Sequence, residues 1–116
     1  MTIERHGIGA RMSQAVTHGS MVFLSGVVAE KSAGADVGRQ TREILGQIDG
    51  ILKTAGSDKS KLLSVTVYLA SIGDFDAMNA VYDAWVDTAN PPARACVEAR
   101  LAGTEFNVEI VAIAAR

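Results

Sequence analysis

Between Asp36 and Leu69 the spacing of apolar residues changes once, from helical to alternating, and that change constrains the fold more than any other feature of the chain. Val37, Thr41, Ile44, Leu45, Ile48, Ile51, Leu52 and Ala55 recur at intervals of three and four, which puts them on one helical face. Asp36 stands where a capping side chain accepts the first free N–H groups. Gly56 follows the last periodic position, where a left-handed residue commonly ends a helix. Leu63, Val65, Val67 and Leu69 then alternate with Ser64, Thr66, Tyr68 and Ala70. This predicts a long strand with one strongly apolar face and a central place in a sheet. The helix stripe and the strand face bury each other by packing together, so the chain is expected to be α+β.

The remaining elements follow from similar signals. Residues 2–6 read as a short strand, and 13–17 with 21–24 read as a hairpin turning at His18-Gly19-Ser20. Residues 30–35 are polar and without period, predicting an exposed, mobile loop. Asp74 is placed to cap a second helix with Phe75, Met78, Val81, Tyr82 and Trp85 on its apolar side. Asn90-Pro91-Pro92 resists helix, so a strand can begin only near Ala93. Strands over 93–101 and 106–114 are joined by a short turn and are expected to pair antiparallel. The expected order is β, β, β, α, β, α, β, β in one domain over 1–116, with two helices on one face of a mixed sheet. Two helices leave the other face uncovered although it holds Val111 and Ile113, with Leu62 and Ile72 at the ends of the central strand, so association with further subunits is expected.

Composition narrows the function. The formal charge of −2 and the scattered Lys and Arg give no basic stripe, so nucleic acid is not an expected partner. No apolar run approaches the roughly 18 residues of a membrane span, and residues 1–6 lack the order of a signal peptide. A cytoplasmic protein is expected. One cysteine with His6 and His18 makes neither a disulfide nor a spaced metal site, and no cofactor is expected.

Alternation over 93–101 places Ala95, Val97 and Ala99 on one face and Arg94, Cys96, Glu98 and Arg100 on the other. Arg94 has the planar fork that suits a carboxylate ligand, or it forms a surface ion pair with one of the 13 acidic residues. Cys96 lies on a strand with no histidine beside it in sequence, which favours a small lining residue over a nucleophile. Glu109 shares a face with Asn107, Val111 and Ile113, where it serves as a general acid and base or as a hydrogen-bonded structural group. Ser25-Gly26 ends an apolar strand, permitting close backbone approach or marking a plain turn. Asn79, off the stripe of the second helix, reaches a ligand or faces solvent.

Pro92-Ala93-Arg94-Ala95-Cys96-Val97-Glu98, with Val108-Glu109-Ile110-Val111-Ala112-Ile113-Ala114, resembles the signature of the Rid family, the YjgF-like reactive intermediate deaminases also described as L-PSP endoribonucleases. Ser13-Gln14-Ala15-Val16, Val22-Phe23-Leu24-Ser25-Gly26, the helix over 41–56, Asp74-Phe75 and Met78-Asn79-Ala80-Val81-Tyr82 resemble family segments in the same order. The resemblance implies a chorismate-mutase-like fold and a homotrimer with clefts between subunits. It also implies hydrolysis of 2-imino acids such as 2-iminopropanoate and 2-iminobutanoate to 2-oxo acids and ammonia. By motif, Arg94 takes the substrate carboxylate, Glu109 positions or activates water, and Ser25, Gly26, Asn79 and Cys96 line the pocket. Met12 stands where the familiar deaminase branch has tyrosine, and Val27 where glutamine is common, which implies a more apolar pocket and another branch. A non-catalytic trimer binding small carboxylates is the alternative, with a ribonuclease third.

Overall fold

A computed structural model describes residues 1–116. The elements are β1 (Ile3–Ile8), β2 (Ser13–His18), β3 (Met21–Leu24), β4 (Val27–Val28), α1 (Val37–Thr54), β5 (Leu62–Leu69), α2 (Phe75–Trp85), β6 (Ala93–Glu98) and β7 (Val108–Ala115). Short 3-10 turns precede β5 and α2. The strands form one mixed sheet in the order β1-β2-β3-β7-β5-β6, with β4 also pairing β7. Both helices pack on the same face, as expected.

Helix α1 forms as its pattern predicts. Asp36 Oδ1 accepts the Arg39 N–H at 2.8 Å. At the other end Gly56 takes φ 81°, with its N–H bonded to Lys53 O and that of Ser57 to Leu52 O. This double closure needs the left-handed residue that glycine supplies. Ile44, Leu45, Ile48 and Leu52 are all 2% exposed or less, each contributing roughly 1.5–3 kcal/mol by burial. They meet Val22 and Leu24 of β3, Val65, Val67 and Leu69 of β5, and Val108, Ile110, Ala112 and Ala114 of β7 in one core. The β2–β3 hairpin turns at Gly19, whose φ of 60° suits the first position of a two-residue turn.

Three expectations change. The last two strands do not pair. β7 lies between β3 and β5, and β6 runs parallel to β5 at the edge. All four helix-side residues of β7 are buried, and neighbours on both edges keep that strand in the middle of the core. The connection over 99–107 is no hairpin: Ala99 N–H bonds Leu69 O on one side of the β5 end, and Ala70 N–H bonds Asn107 O on the other. Second, β5 therefore has only the edge strand beyond it, and a bulge between Leu62 and Ser64 turns Leu62 into the core and leaves Leu63 45% exposed. Third, α2 starts without a side-chain cap from Asp74. A 3-10 turn, Ile72–Asp74, leads in, and Glu98 Oε1 accepts the Ile72 N–H at 3.0 Å.

The loop over 30–35 is pinned. Glu43 accepts the N–H groups of Lys31 and Ser32 at 3.2 and 2.7 Å. Burial works to raise its carboxyl, but these bonds and the Lys31 charge together hold it below the usual range. Gln40, wholly buried on α1, donates to Ala35 O and Glu105 O at 3.0 Å each and accepts the Asn107 N–H at 2.8 Å. One side chain thus ties two loops to the helix. Gln40→Leu is expected to strand those backbone groups and lower stability by about 1–3 kcal/mol, read as a fall in the urea midpoint at constant m-value.

The face away from the helices carries Val16, Phe23, Thr66, Tyr68, Val97, Val111 and Ile113 by register. Phe23 is 42% and Val97 43% exposed. No element of the chain covers this face.

Candidate functional site

Arg94 is the second residue of β6, just after the proline-ordered entry, and its register with Val65 turns it toward the helix side. There it stands over the Tyr82 ring at 4.7 Å and the Phe75 ring at 6.0 Å from their centroids. Its Nη1 donates to Asn79 Oδ1 at 2.8 Å. Asn79 therefore holds the arginine rather than facing solvent alone. Cys96 follows on the same side and packs against the core. Burial pushes its thiol up and the Arg94 charge opposes that shift, an environment that suits a lining residue better than a thiolate.

Glu109 lies on β7 opposite Tyr68 and Val28, half-buried on the open face. Its carboxylate rests against Gly26, where an added methyl group would collide with Oε2 and crowd Cδ. A side chain at 26 would therefore force the Glu109 carboxylate to move. Ser25 bonds Gln14 O through its N–H at 3.0 Å, which fixes the turn carrying Gly26. Gly26→Ala is expected to displace Glu109 by roughly an ångström and to cost about 10²-fold in any activity that depends on it. Turnover measured beside a thermal melt checks this, since loss of activity with an unchanged melt is the expected pair.

Parity separates the two groups. Arg94, Cys96 and Glu98 share the side of Val65, Val67 and Leu69, whereas Glu109, Val111 and Ile113 share the side of Tyr68, Thr66 and Ser64. Within one chain Arg94 with Asn79 and Cys96 forms one cluster, and Glu109 with Gly26 forms another on the opposite face. Met12, Ser25 and Gly26 meet in a cavity of about 210 Å³ whose other walls include Gln14, Glu30 and Gln47. Val27 is 6% exposed and registers with Ile110 in the core. Met12, 59% exposed, is the large exposed apolar wall of this cavity. The largest cavity, about 540 Å³, lies between α1 and α2 and contains none of the predicted residues. Lys59, Trp85 and Asp49 among its walls engage one another: Lys59 Nζ donates to Trp85 O at 2.6 Å, and Trp85 Nε1 to Asp49 Oδ2 at 3.0 Å.

The arginine on an edge strand and the glutamate over a glycine sit in a chain whose residues 3–116 match the family described as endoribonuclease L-PSP. The chain belongs to the Rid family. This Rid protein is 41% identical over 114 residues to a RutC family protein of Haemophilus influenzae, covering 98% of each chain. It is 36% identical over 109 residues to a 2-iminobutanoate/2-iminopropanoate deaminase of Salmonella typhimurium, covering 89% of this chain and 85% of that one. The crystal structure of a YjgF family protein from Neisseria meningitidis matches with a TM-score of 0.96 at 45% identity, covering 100% of this chain and 96% of the other. A branch distinct from the named deaminases is consistent with these identities.

Sequence reading of this Rid chain assigned Tyr82 only to an apolar stripe, and its stacking under Arg94 went unforeseen. The available signal was spacing: Phe75, Asn79 and Tyr82 recur at four and three, one stripe of a helix. Gln40 is polar, but its spacing of three from Val37 and four from Ile44 puts it on the buried face.

Proposed function

We propose that this protein hydrolyses 2-imino acids to 2-oxo acids and ammonia, in clefts that adjacent subunits of a homotrimer complete. The observation that carries the reading is the separation of two suited groups onto opposite faces: an exposed arginine held by Asn79 and aromatic rings, and a half-buried glutamate against Gly26. A neighbouring chain laid on the uncovered apolar face brings the Glu109 group of one chain to the Arg94 group of the next. The deaminase relative at 36% identity supports the chemistry.

In this reading the Arg94 fork pairs with the substrate carboxylate and fixes the C=N carbon. Glu109 takes a proton from water as the water oxygen bonds that carbon, and passes it to nitrogen, giving a carbinolamine. Glu109 then takes the carbinolamine hydroxyl proton and delivers it to nitrogen as the C–N bond breaks, so ammonia leaves and the 2-oxo acid remains. Cys96, Ser25 and Met12 act as walls, and no step calls for a cofactor.

The test couples a threonine or serine dehydratase, its amino acid and this protein, and follows 2-oxo acid formation. Acceleration over the dehydratase alone is the expected result. Absence of acceleration with several amino acids, together with retained binding of 2-oxo acids, would establish a carboxylate receptor instead.

A further inference from the structure

We propose that Tyr82 is a positioning residue: its ring is the platform that holds the Arg94 guanidinium ready for a carboxylate. The identity of that ligand rests on the deaminase reading above. An arginine at the start of an edge strand has a long side chain with many rotamers, and nothing in β6 itself restrains it. All its restraints come from α2. Phe75, Asn79 and Tyr82 lie on one stripe and supply two ring faces and one hydrogen bond, leaving the other guanidinium donors free.

The three contacts are not equivalent. Phe75 is 39% exposed at the helix start, and Asn79 engages only Nη1. Tyr82 is 5% exposed, rooted in the core, and presents the nearer ring. Burial pushes its phenol up, with the Arg94 charge opposing and Asp83 adding, so the ring stays neutral at physiological pH. Neutral tyrosine offers the π face without the phenolate that would capture the cation as an ion pair. Glu98, bonded to the Ile72 N–H, braces the helix bearing the platform against the strand bearing Arg94.

The experiment is calorimetric titration of the assembled protein with pyruvate, for wild type, Tyr82→Phe, Tyr82→Leu, Tyr82→Met and Arg94→Lys. Tyr82→Leu and Tyr82→Met are then repeated in the Arg94→Lys background. Circular dichroism and mass confirm the fold, and Tyr82→Met, which fills the site without a ring, serves if leucine does not fold. Tyr82→Phe keeps the ring and is expected to retain affinity within about threefold, while Leu and Met weaken pyruvate by roughly tenfold. In the Arg94→Lys background the same replacements are expected to change affinity by less than about twofold, because the fork they position is gone. Wild-type affinity in the Leu and Met variants, or equal weakening in both backgrounds, overturns the platform while leaving the carboxylate role of Arg94 intact. Wild-type affinity in Arg94→Lys itself overturns that role and the platform with it.

Discussion

Glu109→Gln is expected to lower kcat for imine hydrolysis by about 10²- to 10⁴-fold while 2-oxo acid binding persists. The substitution keeps the shape of the side chain over Gly26 and removes the proton acceptor, so the loss falls on the chemical step. Single-turnover rates beside product titrations separate the two quantities. A normal rate in the folded, assembled variant would remove Glu109 from proton transfer and leave it the structural glutamate that alternation alone allows.

Arg94→Lys is expected to differ in kind. The charge remains, but the ammonium offers no planar pair of donors and makes a poorer partner for the Tyr82 face at 4.7 Å. Binding and orientation should both weaken, lowering kcat/KM by about 10- to 100-fold, equivalent to roughly 1.4–3 kcal/mol. Loss confined to kcat, with pyruvate bound as tightly as by wild type, would contradict a carboxylate-binding arginine.

Local pattern made much of this molecule legible. The α1 stripe, its Asp36 and Gly56 ends, the Gly19 hairpin and the start of β6 after Asn90-Pro91-Pro92 all rest on short-range physics, and each forms where expected. The short connection between β6 and β7 suggests a pairing that the sheet does not make, because proximity in sequence does not set proximity in the sheet. Core burial of Val108, Ile110, Ala112 and Ala114 instead draws β7 between β3 and β5. That same rearrangement decides the site. With β6 parallel to β5, parity sends Arg94 to the helix side, and with β7 antiparallel to β5 it sends Glu109 to the open side. Both residues were visible as chemistry in the sequence, but the face each occupies depends on long-range pairing. Gln40 and Tyr82 were hidden for a simpler reason: each falls on an expected stripe, and spacing identifies a face without naming what a polar or aromatic tip will meet there.

Arg94 and Glu109 lie on opposite faces of one chain; under the proposed reading they act together across two chains, and mixing inactive variants tests this most directly. Arg94→Ala and Glu109→Gln proteins are each nearly inactive under this reading. They are co-refolded in equal amounts, and imine hydrolysis is compared with that of each variant refolded alone. Random assembly into trimers should restore an intact arginine and an intact glutamate at about one site in four, returning roughly a quarter of wild-type activity. A mixture no more active than the mean of its parts, in trimers shown by mass to contain both chains, would contradict a site shared between subunits.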